Sequence, residues 1–313
     1  MKKLFDQIDT AFIIEKEKVV DNGEDSFSLC IGKNSAYSGV FDGCGGSGFR
    51  LCRGFSKKTE AYMASRFASG AMYDWFQVFG DSSDFSSINK AKSIKEYLDK
   101  GFSLSSKYNS QSAKIGGSLV RDFPTTAAIA ILSENIVLDA LWAGDSRIYL
   151  LDWSGLAQVS VDDVDEIDAY NNLFDDSVMN NVLSADGKYV LNHKKINLTG
   201  PSLVITATDG CFGYFQSPME FEFILLDSLM SADSIQKYKI NLKNYIERVT
   251  GDDYSLGMIA LNYGSFKKLQ STLQERYDSL KRDYINAINE NINDESIRFN
   301  LWKKYKPNYE KYF

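Results

Sequence analysis

A single histidine, His193, serves all 313 residues of the chain. That scarcity excludes a histidine-rich zinc site, and any Ser-His-Asp or Cys-His mechanism would have to use this one residue. His193 stands in "VLNHKKINL" beside two lysines, where a solvated turn is its plainer role. Cysteine is nearly as sparse. Cys30, Cys44, Cys52 and Cys211 lack the paired spacing of a metal site or a disulfide framework, which fits a reducing compartment. Basic excess is also missing: 35 lysines and arginines face 42 acids, a formal charge of -7. This balance argues against a general nucleic-acid or anionic-membrane surface and leaves an anionic substrate dependent on local cations. Long apolar runs are absent too. The opening "MKKLFDQIDTAFIIEKEK" holds an apolar run of only about four residues, against about seven to fifteen for a signal-peptide core. No segment is long enough to span a bilayer and no prenylation box closes the sequence, so a cytoplasmic chain without a membrane partner is expected.

What the chain has instead is acids at strand ends. "SGVFDGCGGSG" ends a short apolar run on Asp42 and breaks into glycines around Cys44. Alone, this is an ordinary Asp-Gly turn. The arrangement recurs, however: "SLVITATDGCFGYF" delivers Asp209 from an alternating strand, and "NIVLDALWAGDSRIYLL" sets Asp145 between two strand-like runs. "VTGDDYSLGMIALNY" puts Asp252 and Asp253 ahead of a strand, and "DNGEDSFSLCI" does the same with Glu24 and Asp25. Carboxylate oxygens with few neutral ligands suit hard divalent ions such as Mg²⁺ or Mn²⁺, which in turn handle phosphate. A structural calcium site is the alternative, although no EF-hand spacing is present.

With 44% hydrophobic residues the chain can bury one large core, or one core plus an appendage. Strands are predicted at 26–31, 36–41, 125–133, 135–143, 147–152, 195–198, 202–208 and 255–262. Helices are predicted at 57–79, 90–108 and 231–249 from apolar residues at three- and four-residue steps. Gaps of hairpin length between strands predict antiparallel meanders, since a parallel crossover needs a dozen or more residues. The acidic, asparagine-rich segment 161–192 reads as a long functional or mobile connection.

These residues together resemble the bacterial-type PPM (type 2C) metal-dependent serine/threonine protein phosphatases. The resemblance rests on "FDGCGG", "PTTAAIAI", "AGDSRIY", "NNVLSADG", "ATDG" and "DDYSL", in order and spacing over roughly residues 10–262. It implies an α+β fold, a four-layer αββα sandwich of two antiparallel sheets flanked by helices. The phosphatase domain would be 1–263, with a helical C-terminal extension at 264–313. It implies hydrolysis of phosphoserine or phosphothreonine by a water activated at two Mn²⁺ or Mg²⁺ ions, with a phosphorylated protein as substrate and a cognate kinase as a further partner. Asp42 would bridge the ions, the Gly43 carbonyl would complete one site, and Asp209 and Asp252 would hold the other ion. Glu24 and Asp25 would act through metal-bound water or directly, and Asp145 is linked to a third, weaker ion.

Departures from the pattern bear on activity. Cys44 replaces a histidine that is a candidate proton donor, Val20 replaces a phosphate-binding arginine, and Gly213 replaces an acid that helps the third metal. Cys44 reads either as a thiol tending toward thiolate, a poor proton donor, or as an inert small residue in the turn. Arg50 and Arg53, in an inserted "GSGFRLCRGFSKK", are candidates for binding substrate phosphate in place of the lost arginine, or part of a solvated basic loop. The competing functional reading is a weakly active or inactive phosphatase-like module that binds a phosphoprotein or kinase. In the C-terminal stretch, Leu269, Leu273, Tyr277, Leu280, Tyr284, Ile288 and Ile292 form one helical stripe, which either packs back on the sandwich or docks a partner.

Overall fold

The computed structural model describes residues 3–55, 57–82, 84–108, 121–165, 168–173, 178–292 and 294–313. Of the long connection at 161–192, residues 166–167 and 174–177 therefore lie outside the described residues. Two five-stranded sheets face each other, in the orders β1-β10-β9-β6-β7 and β2-β3-β4-β5-β8. Every pairing in both is antiparallel. The strands are β1 (Ile8–Lys16), β2 (Ser26–Ile31), β3 (Ser35–Phe41), β4 (Ala127–Ser133), β5 (Val137–Ala143), β6 (Arg147–Asp152), β7 (Gly155–Gln158), β8 (Asn192–Asn197), β9 (Ser202–Ala207) and β10 (Tyr254–Leu261).

Small and branched side chains close the gap between the sheets: Val40, Ala128, Ala130, Leu138 and Ala140 on one face meet Ile148, Leu150, Val204 and Ile259 on the other. The sheet containing β3 buries its outer face under α1 (Glu60–Phe79) and α2 (Lys90–Phe102), through Ala64, Ala68, Trp75, Ile94 and Leu98. The other sheet is covered by α4 (Pro218–Met230), α5 (Ile235–Val249), α6 (Phe266–Leu280), α7 (Asn286–Glu290) and α8 (Glu295–Tyr309), while α3 (Asp209–Phe212) is a single turn after β9. This is the predicted four-layer sandwich.

Helix starts follow their caps. Thr59 accepts the Tyr62 N–H at 3.0 Å and opens α1 three residues later than the periodicity at 57–79 predicts. α2 ends at Phe102 in a short 3₁₀ turn, inside the predicted 90–108. Besides the single turn of α3, the sequence pattern misses β1, β7 and α4. β1 buries only Phe12 and Ile14, β7 has four residues, and α4 is apolar almost all round, so it has no polar face to mark a helical period.

Residues 264–313 pack on the same sheet. Leu269, Leu273, Leu280 and Ile288 are buried in the core beneath α4 and α8, whereas Ile292 is 62% exposed and ends the stripe. Buried Glu222 of α4 ties the layer together, accepting from Arg276 of α6 at 2.6 Å, from the Tyr305 hydroxyl of α8 at 2.5 Å and from the Leu156 N–H of β7 at 3.1 Å.

Candidate metal centre

Strand register brings the acidic corners to one end of the sandwich. Ser26 pairs with Phe41, so Asp25 at the start of β2 lies beside Asp42 at the end of β3. In the facing sheet Ala207 pairs with both Arg147 and Leu256, which aligns Asp209, the Asp145 turn and the Asp252 turn at one edge. Across the sandwich, the Ser38 and Thr206 hydroxyls meet at 2.7 Å, and the two strands then run on to Asp42 and Asp209. Close approach makes two glycines necessary. A Cβ on Gly43 would meet the Ala61 carbonyl oxygen at 2.5 Å, and one on Gly210 would press into the Asp253 carbonyl.

The result is a cavity of about 850 Å³, lined by Glu24, Asp25, Asp42, Gly43, Cys44, Asp209 and Asp252 among the predicted residues. Asp145 lies outside that lining but close enough in charge to act on Asp42 and Cys44. Arg50 and Arg53 do not line it. The Arg50 guanidinium is held by Glu60 at 2.7 Å and Asp122 at 2.5 Å and fastens the loop to α1 instead. Arg53 is exposed, and its backbone N–H bonds to the Tyr108 carbonyl. The cation on the cavity wall, among the described residues, is Arg121, which donates to the Asn180 carbonyl at 3.4 Å. Arg121 belongs to none of the sequence motifs, although it precedes "DFPTT", whose Thr126 N–H bonds to the Asp42 carbonyl. Asp253 has a separate structural part: its two oxygens accept the Lys18 and Glu24 backbone N–H groups at 2.6 and 2.7 Å, which seats Glu24.

Partly open to the cavity yet packed with protein on the other sides, the carboxylates repel one another. Burial first, then Asp209, Asp25 and Asp145, push Asp42 well above the usual carboxylate range. Asp25 is pushed up to about 8 by burial, against a 2.8 Å hydrogen bond from Thr208, with Asp209 adding to the rise. Asp145 is pushed up to about 7 by burial and by Asp209 and Asp162, with Arg147 working the other way. Asp209 is raised by burial and Asp252, opposed by its hydrogen bond with Asp42. Glu24 is raised by burial, opposed by the Thr59 hydroxyl at 2.5 Å. The Cys44 thiol also moves up, through burial and the surrounding Asp42, Asp145, Asp209 and Glu24, so in the metal-free chain it stays protonated rather than tending to thiolate.

No three of these side chains, among the described residues, are already drawn into a ligating arrangement. The fit of a divalent ion rests on donor chemistry. Glu24, Asp25, Asp42, Asp165, Asp209, Asp252 and Asp253 line one cavity against Arg121, and Asp145 Oδ1 is buried without a hydrogen-bond partner. An oxygen-only, strongly anionic donor set fits Mg²⁺ or Mn²⁺.

Comparison with solved structures then bears on the architecture. The serine/threonine phosphatase Stp1 from Staphylococcus aureus superposes with a TM-score of 0.62 at 15% identity, covering 81% of this chain and 96% of that one. The fold is that of the PPM-type serine/threonine phosphatases. The catalytic domain of the PPM-type phosphatase PstP, solved in complex with two manganese ions, matches with a TM-score of 0.55 at 14% identity over 80% of this chain and 97% of its own. A PPM Ser-Thr phosphatase from Mycobacterium smegmatis, in complex with cacodylate, gives 0.55 at 12% identity over 81% and 98%. No protein-family model matches the sequence, and no curated protein matches it. About a fifth of this chain lies outside the shared PPM-type fold in these matches.

Proposed function

We propose that the chain is a metal-dependent phosphoprotein phosphatase acting on phosphoserine and phosphothreonine in the cytoplasm. The observation that carries this reading is the convergence of Asp42, Asp209 and Asp252, with Glu24 and Asp25, on one cavity at the end of a PPM-type fold. Asp42, the Gly43 carbonyl, Asp209 and Asp252 would hold two Mn²⁺ or Mg²⁺ ions, with Glu24 and Asp25 supporting them and Asp145 serving a third, weaker one. Such ions supply Lewis acidity toward a water and the phosphate oxygens and neutralise charge that builds during phosphoryl transfer.

The chain's own residues do the rest. Asp253 fixes Glu24 through its backbone N–H, and Thr208 orients Asp25. Arg121, on the wall, binds a phosphate oxygen in place of Arg50 and Arg53. Phe49 and Val178, both more than half exposed at the cavity, take the apolar neighbours of the phosphorylated residue. Cys44 stands where a proton would be delivered to the leaving group. Residues 1–263 form the catalytic domain and 264–313 an extension packed against it, and a cognate kinase would supply the substrate.

A second reading, a phosphoprotein-binding module of low activity, draws on Val20, 77% exposed where a phosphate-binding arginine is expected, and on Cys44. Hydrolysis of p-nitrophenyl phosphate and of a phosphothreonine peptide, each with and without Mn²⁺, separates the two. Mn²⁺-dependent turnover of both supports the enzyme, and peptide binding without turnover supports the module.

A further inference from the structure

Between residues 161 and 182, Asp165, Val178, Met179, Asn180 and Val182 supply one wall of the cavity, yet none of the described residues of this stretch belongs to either sheet. On its inner side it is tied to the β5–β6 turn. The Asp163 carboxylate accepts from the Gly144 N–H at 3.0 Å and the Asn181 amide at 2.6 Å, and Val164 bridges Met179. Its outer side is tied to the last helix. Asp168, three residues along from Asp165, accepts from the Trp302 indole N–H at 3.1 Å and from Lys306 Nζ at 2.5 Å, two α8 residues one turn apart.

The same carboxylate folds the segment itself. It accepts the backbone N–H groups of Tyr170 at 2.9 Å and Asn171 at 3.2 Å, and Tyr170 stacks on the fully buried Trp302 ring at 5.9 Å between centroids. Asn172 then ties the turn back to the start of the segment, donating to Asp162 at 3.2 Å, next to Asp163. Burial alone would raise the Asp168 carboxyl; Lys306, the two N–H groups and the indole hold it below the usual carboxylate range instead. A continuous set of contacts thus runs from α8 through Asp168 and Asn172 to the residues facing the cavity. None of it passes through Asp42, Asp209 or Asp252.

We propose that Asp168, Trp302 and Lys306 are positioning residues through which α8 sets the place of the wall residues Asp165 and Val178 to Val182 and so the affinity for a phosphoprotein. This rests on the phosphatase reading. A small aryl phosphate needs the carboxylate floor and Arg121, whereas a peptide also lies against Val178 and Met179, so the peptide depends more on the wall than the aryl phosphate does. Loss of one charge-assisted hydrogen bond of this kind is worth about a tenfold change in an equilibrium that depends on it.

The test uses the full chain with Mn²⁺, comparing wild type with Lys306→Met, Asp168→Asn and the conservative Lys306→Arg. The expected result is a KM for a phosphothreonine peptide raised about tenfold in the first two variants with kcat within about threefold, and rescue by Lys306→Arg. Kinetics on p-nitrophenyl phosphate should stay within about twofold of wild type. Backbone hydrogen exchange should quicken at 178–182 and not in β3 or β9. An unchanged peptide KM, or an equal loss on both substrates, overturns the proposal. If wild type hydrolyses neither substrate, the phosphatase reading fails and the affinity claim with it. Exchange at 178–182 then judges the anchor alone, and unchanged exchange in Lys306→Met overturns that as well.

Discussion

Arg147 and Asp162 form a buried ion pair at 2.6 Å, with both side chains less than 5% exposed. Arg147 follows Asp145 by two residues, donates to the Tyr309 hydroxyl of α8 at 3.4 Å and lies over the Phe212 ring at 4.3 Å. The pair therefore stands where the Asp145 turn, the Asp209 turn and the C-terminal helix meet. Removing one partner leaves the other charge buried. Asp162→Asn should cost about 3–5 kcal/mol of stability, read as a lower urea midpoint at unchanged slope. A loss below about 1 kcal/mol would show that the pair is not structural.

The raised acids make the metal-free protein sensitive to pH in a stated direction. Asp25 and Asp145 keep their protons in the folded chain up to about 8 and about 7, whereas in the unfolded chain they release them near the ordinary carboxylate value. Between these limits the folded state binds more protons, so stability falls as pH rises and levels off above the folded values. Melting with a chelator should therefore give a lower Tm at pH 8 than at pH 5.5. Added Mn²⁺ takes the place of those protons and should raise Tm more at pH 8 than at pH 5.5. A chelated protein with equal Tm at both values would contradict the crowding of charge in the cavity.

Asp42 and Asp209 are legible in the sequence because each ends a strand-like run and enters glycine, and the Ser38–Thr206 contact across the sheets then brings the two strand ends together. The fold was legible for the same reason: hairpin-length gaps leave antiparallel pairing as the available geometry. Arg50 is not legible. A cation in a polar loop looks free for substrate until folding brings Glu60 and Asp122 to it, and neither is an evident partner along the chain. Asp168 is hidden likewise, since its partners Trp302 and Lys306 lie more than 130 residues away. α4 escapes because burial on all sides erases the period by which helices are read.

Cys44 answers to a kinetic comparison. Its thiol is pushed up by burial and by four carboxylates, so in the chelated protein alkylation by iodoacetamide at pH 7.5 should be slow compared with a free thiol. A protonated thiol is still a weak proton donor toward an alkoxide. Cys44→His should raise turnover of a phosphoserine peptide by about tenfold or more, and that of p-nitrophenyl phosphate by less, since an aryl leaving group needs little protonation. Equal small effects on the two substrates would mark Cys44 as a space-filling residue of the turn.

The most direct test of the central claim is phosphate release from a phosphothreonine peptide by wild type, Asp42→Asn and Asp209→Asn, each with Mn²⁺ and with chelator. The account predicts wild-type turnover that chelator abolishes and Mn²⁺ restores, and a loss of at least about a hundredfold in both variants. Turnover that persists in chelator, or that survives both substitutions, would contradict it.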